Sequence, residues 1–236
     1  MPAFLEDISR FYGTKTNNNK GQNLEEFLEE YDPYKYKNPC CTTDAVVFSY
    51  KNELDKDLNG LKVLMVKRAN HPCIGFWALP GGFIELNENL EDTARRELEE
   101  ETGVKGIAAE QFAVYGDVTR DPRARVITTA YLSVVKEDEV KVEAGDDAAD
   151  AVWCDVSLEK IDSADDGVNI TETYKLFIVN KSRDLDSCAF VKHTIRKGII
   201  REEKYVVEDM DVIASDHAAI ITQAYLILKN RISGLK

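Results

Sequence analysis

Val46, Val47 and Phe48 lie in a β-rich run from residue 43 to 50, and a second run covers residues 61–66 across a polar stretch at 51–60. This pattern predicts two neighbouring strands joined by a loop. Residues 70–89 then carry Pro72, Gly75, Pro80, Gly81 and Gly82, too many breakers for a helix, and read as a long ordered loop around one short strand. A helix is predicted over about 90–102, with Asn89 as N-cap, Leu90, Ala94 and Leu98 on one face and Gly103 as the stop. Strand-like runs follow at 112–118, 126–135 and 151–154, interrupted at 120–123 and 145–147. Leu176–Val179, Ala189–Val191 and Tyr205–Val207 suggest that residues 168–212 are mostly strands. Ile220, Ile221, Ala224, Tyr225, Leu228 and Ile232 recur at helical spacing and predict an amphipathic closing helix over 215–231. Before residue 43 two short helical patterns, Leu5/Ile8/Phe11 and Leu24/Phe27/Leu28, flank a polar run and read as a peripheral extension.

Composition narrows the class. A chain of 236 residues with 44% hydrophobic and 31% charged positions matches an ordinary globular protein with room for a real core. Its 30 basic and 43 acidic residues leave a formal charge of −13, which disfavours a general affinity for nucleic acid or anionic membrane. A polyanionic substrate would therefore need a metal or a local basic patch. No apolar run approaches the ~18 residues of a membrane-spanning helix. The five cysteines, 40, 41, 73, 154 and 188, form no C-x-x-C pair, and residues 1–5 show no signal peptide, so a cytoplasmic location is expected.

The chemistry concentrates in one stretch. Gly82 is followed after five residues by Glu88, and after seven more by Arg96, Glu97, Leu98, Glu99, Glu100, Glu101, Thr102, Gly103 and Val104. Glu97, Glu100 and Glu101 stand at i, i+3 and i+4, so they project from one face of the predicted helix. Like charges there repel, and a divalent cation is the natural compensation; all-oxygen ligands favour Mg²⁺ or Mn²⁺ bridging to a substrate phosphate. The ordinary reading of four glutamates in five residues is a solvated helix face. The flanking glycines, Glu88 and Arg96 at fixed spacing point instead to a site, with Glu88 and Arg96 as an ion pair fixing the loop.

This stretch resembles the Nudix box, G-x5-E-x7-R-E-U-x-E-E-x-G-U with U aliphatic, at every defined position; a chance match in a chain this long is below about one in a million. The resemblance implies an α/β fold, an α/β/α sandwich with a mixed sheet, that binds metal and hydrolyses nucleoside diphosphates linked to another moiety. It implies metal ligation by Glu97, Glu100 and Glu101, with a carbonyl from Gly81 completing the shell, and metal-bound glutamates that help activate water.

Further segments resemble a subgroup containing ADP-ribose pyrophosphatases and Nudix-type repressors of NAD metabolism: Tyr31-Asp32-Pro33, residues 44–48, 76–82 and 120–126, with a weaker echo at 215–218. ADP-ribose, or a related dinucleotide, is the substrate so implied, with AMP and ribose 5-phosphate as products. Arg120, Arg123 and Arg125 form the dense basic cluster near the site and are expected to contact phosphate, unless Asp121 and neighbouring acids pair them. Asp147, or its neighbour Asp146, is read as a second-metal or water-orienting acid in a catalytic loop, the alternative being an exposed turn. Trp77 and Trp153 are candidates to stack on adenine, although buried Trp is the commoner outcome. The histidines 71, 193 and 217 lack metal-ligand spacing and are read as structural.

Three parts are expected: an N-terminal helical extension at 1–42, the Nudix domain at 43–158, and a β-rich addition with closing helix at 159–236. The repressor branch carries a winged-helix module, and a DNA-reading tail should be basic. Residues 155–236 hold 12 basic and 14 acidic side chains, and the run Lys192, His193, Arg196, Lys197, Arg201, Lys204 is interrupted by Glu202 and Glu203, so DNA is not expected as a partner. The main competitor to hydrolysis is a sensor that binds ADP-ribose and controls a partner; a sanitiser of oxidised nucleoside triphosphates differs only in substrate. Homodimerisation is common among ADP-ribose-cleaving relatives and is expected on that ground alone.

Overall fold

The structure is a computed structural model that describes residues 4–144, 148–200 and 202–234. It divides into two compact units, Met1–Pro39 and Cys40–Lys236.

In the first unit, only the second of the two helical patterns becomes an α-helix, α1 (Leu24–Glu30). Asn23 and Glu26 form a reciprocal capping box at its start. The Leu5/Ile8/Phe11 pattern yields a single 3₁₀ turn, Ser9–Phe11, whose N-cap Ile8 has no side chain able to satisfy the free amides.

The second unit is built on one mixed sheet. Its strands are β1 (Cys40–Tyr50), β2 (Lys62–Arg68), β3 (Trp77–Ala78), β4 (Gly81–Phe83), β5 (Glu110–Tyr115), β6 (Val126–Lys136), β7 (Ala148–Asp165), β8 (Asn169–Asn180), β9 (Leu185–Arg196) and β10 (Glu202–Asp209). The order is β10-β9-β8-β7-β2-β1-β6-β5, with β3 beside β2 and β4 beside β1. β1 and β6 are parallel, Cys40 opposite Val126, and the remaining pairs are antiparallel. Helix α2 (Leu90–Thr102) occupies the predicted bounds, and α3 (His217–Gly234) closes the chain.

The two helices cover opposite faces. Alternation along β1 sends Val46 and Phe48 toward α3, in a core with Ile220, Ile221, Ala224 and Tyr225, and sends Ala45 and Val47 toward Leu98 of α2. Burial on both faces leaves residues 42–49 without an exposed position. The closing helix differs from its predicted amphipathic form: residues 217–222 are buried all round. Its start lies between the sheet and two loops rather than on an open face. The strand predicted over 151–154 extends much further, and β7 crosses the 158/159 point to pair with β8 from Asp155 to Asp165. Residues 159–209 therefore continue the same sheet. Among the described residues no helix is long and apolar enough to cross a membrane.

Candidate active site

β4 docks on β1 with Gly81 opposite Asp44 and Gly82 opposite Thr43, and the Ala45 N–H donates to the Pro80 carbonyl at 2.9 Å. Gly81 has φ +155°, and a Cβ there would collide with the Thr43 carbonyl, so only glycine permits this approach. At Gly82 a Cβ would meet the Glu97 carboxylate instead. The two glycines thus bring the backbone against the first strand on one side and against α2 on the other.

α2 is stopped by Gly103 in a left-handed cap donating to the Glu99 carbonyl at 2.8 Å. Asn89 stands at the N-cap, but its amide donates to Asp92 rather than its oxygen accepting a backbone N–H. Glu88 and Arg96 form the expected ion pair through two hydrogen bonds of 2.7 and 3.0 Å, and Arg96 also donates to the Phe83 carbonyl at 3.2 Å. Arg96, aided by the Thr93 hydroxyl, holds the Glu88 carboxyl at about 2, and Glu88 in turn raises the guanidinium beyond its ordinary range. Arg96 reaches on to Glu97 at 2.8 Å and Glu100 at 3.0 Å.

Glu101 accepts the Gly81 N–H at 3.0 Å and is pushed up to about 7, chiefly by burial, with the Glu97 charge adding to the effect against that hydrogen bond. Burial also raises Glu97, opposed by Arg96 and reinforced by Glu100. Glu100 sits further out, 58% exposed, and Glu99 turns away to Lys105. Among the described residues no three potential ligands converge into a ready metal cage. Arg96 and the Gly81 N–H engage the carboxylates instead. The donor set nevertheless fits a hard divalent cation: two half-buried carboxylates disfavour each other's charge, which a cation between them would relieve.

A cleft of about 480 Å³ runs from Glu101, Gly81 and Gly82 past Asp44 to Arg120, Arg123 and His217. A larger groove, about 800 Å³ and lined by β5 and β10, contains none of these groups, so the chemistry selects the smaller cleft. Arg120 is buried and binds both oxygens of Asp216 at 2.8 and 2.9 Å, with Asp44 at 3.5 Å. Burial alone would lower its pKa, but Asp216 and then Asp44 carry it above the ordinary value. Arg123 is 45% exposed, forks onto Asp121 and lies over the Phe83 ring at 5.2 Å. Both arginines reach the cleft and both have acidic partners: Arg123 its neighbour Asp121 at the surface, Arg120 the distant Asp216 in a buried pair.

Three residues expected at the substrate are not brought there. Arg125 folds back onto the carbonyls of Asp117 and Val126 outside the cleft. Trp77 is 4% exposed within the main core because β3 is enclosed between β2 and residue 213, so its ring has no open face for a base. Trp153 packs beside Leu64 and Leu98, also away from the cleft. Asp146 and Asp147 lie outside the described residues.

The cluster of Asp44, Asp216 and His217 was not assigned to the site from sequence. A carboxylate at the start of the apolar run 45–48 was the available signal, since an Asp only 7% exposed needs a partner.

The NUDIX domain model matches residues 44–170, just over half the chain. The "ADP-ribose pyrophosphatase" of Methanocaldococcus jannaschii is 37% identical over 122 residues, which cover 52% of this chain and 65% of that protein. The "ADPR responsive transcriptional repressor NtrR" of Acinetobacter baylyi is 37% identical over 111 residues, 46% of this chain and 42% of that one. The chain thus spans less than two thirds of the length of either relative. Among solved structures, the NUDIX domain of Shewanella oneidensis NrtR complexed with ADP ribose aligns with a TM-score of 0.50 and 36% identity, covering 56% of this chain and 82% of that domain.

Proposed function

The chain belongs to the Nudix family, and from that premise we propose that it is a divalent-metal-dependent hydrolase that splits the diphosphate bridge of ADP-ribose into AMP and ribose 5-phosphate. The observation that carries the reading is the placement of Glu97 and Glu101, half-buried and mutually disfavoured, against the Gly81–Gly82 backbone, with Glu101 lining one end of the cleft. The name of the M. jannaschii relative and the ADP ribose held by the Shewanella domain support the substrate.

In this proposal Glu97, Glu100, Glu101 and the Gly81 carbonyl hold Mg²⁺ or Mn²⁺. When bound, such an ion polarises a phosphoryl oxygen and lowers the pKa of a water. The protein's own groups do the rest. Arg96 keeps Glu97 and Glu100 oriented and, through Glu88 and the Phe83 carbonyl, fixes the loop that ends β4. Glu101, which accepts the Gly81 N–H, stands beside the position the cation would take and would help orient the attacking water there. Arg123, the more exposed arginine, is placed to exchange Asp121 for a substrate phosphate. Arg120 shapes the wall, its fork already filled by Asp216. Asp147 keeps the role of water-orienting acid as part of the proposal, as do a homodimer and a cytoplasmic location, with which five free thiols agree.

The test is AMP formation from ADP-ribose with Mg²⁺, beside a matched reaction in excess chelator and a Glu101→Gln variant. Chelator-sensitive AMP release that Glu101→Gln abolishes supports the reading; release that survives both sinks it.

The repressor relative favours a second reading, an ADP-ribose-responsive regulator, and makes DNA a partner to be tested rather than dismissed. Against it, the basic run of β9 and β10 is locally neutralised: Lys192 pairs with Glu208, Arg196 with Glu202, Lys197 with Asp165 and Lys204 with Asp117. A low-salt gel shift with and without ADP-ribose decides it.

A further inference from the structure

Residues 210–217 lie beyond the matched domain segment, yet they hold both walls of the cleft. On one wall, the Trp77 N–H donates to the Val212 carbonyl at 2.9 Å, and the Ala214 N–H returns to the Trp77 carbonyl at 2.8 Å. Two residues on, the Leu79 N–H donates to the Nδ1 of His217 at 2.8 Å. On the other wall, the Ser215 hydroxyl donates to the Arg120 carbonyl at 2.7 Å, and Asp216 takes the Arg120 fork. Because Nδ1 accepts, the neutral ring carries its proton on Nε2, which faces Asp44 at 3.7 Å.

We propose that His217 is a positioning residue for the metal-binding turn: its Nδ1 lone pair anchors Leu79 and so sets where Gly81 and Gly82 stand against Glu97 and Glu101. The inference rests on the hydrolase reading for its metal, but the anchoring itself does not. Leu79 is buried, and its N–H takes the imidazole as its acceptor. Pro80 next to it has a fixed φ and a carbonyl already bonded to Ala45, and Gly81 follows with its N–H on Glu101. The turn has little slack either: at Gly81 there is no room even for a Cβ against the Thr43 backbone, and Gly82 stands directly against the Glu97 carboxylate. A displacement of Leu79 therefore passes directly to the carboxylates. A group that holds the ligand-bearing turn from behind orients a metal shell without touching the ion.

The experiment uses the full chain with His217→Leu, which fills the space without an acceptor, and His217→Asn, whose amide oxygen occupies the position of Nδ1. Leu79 amide exchange, Mn²⁺ affinity by titration of the free-ion resonance signal, and kcat and KM for ADP-ribose are measured on each. His217→Leu is expected to expose the Leu79 amide to exchange and to weaken Mn²⁺ binding by about 10- to 100-fold. Its kcat should fall at limiting metal with KM for ADP-ribose unchanged, and His217→Asn should recover most of each loss. A folded His217→Leu protein with wild-type Mn²⁺ affinity and amide protection overturns the proposal, as does an Asn variant equally impaired. Should His217→Leu not fold, His217→Gln, whose oxygen lies one bond too far, replaces it in the comparison. A wild-type chain that binds no Mn²⁺ and leaves ADP-ribose intact defeats the hydrolase reading, while Leu79 exchange in the variants still decides the anchoring.

Discussion

Adding one methyl group to each of the two adjacent glycines separates stability from chemistry. In Gly82→Ala the new Cβ meets only the far end of the Glu97 side chain, and the backbone is not in a left-handed conformation. Glu97 must rotate away, losing its 2.8 Å bond from Arg96 but shedding the burial that disfavours its charge. A charge-assisted bond contributes about 1.5–3 kcal/mol, much of which solvent returns at this partly exposed pair, so the net stability change should stay within about 1 kcal/mol. For a unit of this size that is about 2–4 °C in Tm. Activity should nevertheless fall at least about 100-fold, because a ligand of the proposed metal has been turned out. In Gly81→Ala the clash is with the Thr43 backbone, and φ +155° is unavailable to alanine, so β4 must leave β1. The cost should be about 3 kcal/mol or more, and Tm should drop by about 6–12 °C. Circular-dichroism melts and Mg²⁺-dependent AMP release read the two effects separately. Wild-type turnover by Gly82→Ala, or equal melting of the two variants, would refute this account of the turn.

Arg120 and Arg123 should part company in the same way. Arg120→Met leaves Asp216 and Asp44 without their buried cation and should cost about 3 kcal/mol in urea unfolding, whereas Arg123→Ala should change stability by under about 0.5 kcal/mol and raise KM for ADP-ribose; a stable Arg120→Met protein would contradict the burial argument. Leu98→Ala empties the core between α2 and the sheet and should destabilise by about 2–4 kcal/mol, with activity lost only in proportion to unfolding at the assay temperature. On β8, the Tyr174 hydroxyl donates to Glu172 at 2.6 Å, and with Lys160 and His193 it outweighs burial to hold that carboxyl below its ordinary value. Such a group stabilises the fold above the unfolded pKa near 4.5, and the contribution is lost as pH falls through the lowered value. Tyr174→Phe should therefore cost about 1 kcal/mol at pH 7, with the difference from wild type shrinking toward pH 3; a gap that is constant with pH would assign the loss to packing instead.

Features governed by short-range geometry were legible from the residues alone. The helix at 90–102 follows from its apolar spacing and the Gly103 stop, and the common face of Glu97, Glu100 and Glu101 follows from 3.6 residues per turn, whatever the rest of the chain does. Glu88 and Arg96 belong to the same box, and their pair forms as its spacing implied. The β-rich run at 43–50 likewise marked a strand that became central, though not which face Asp44 would take. Trp77 illustrates the opposite case. An aromatic beside a glycine-rich loop reads equally as a binding platform or as core, and only its enclosure between β2 and residue 213 makes it core. Arg120, Arg123 and Arg125 are one cluster in sequence but separate in space, because one arginine meets Asp216, 96 positions later, one meets its neighbour Asp121, and one meets backbone. The bond from Leu79 to His217 joins residues 138 apart. Periodicity and capping act within a few residues and are written into the local chain, whereas which distant groups meet is decided by strand order and by the helix that closes over the sheet. The sequence by itself thus determined the box, its helix and the common face of its glutamates; the tertiary structure alone decided which walls surround them and what holds those walls in place.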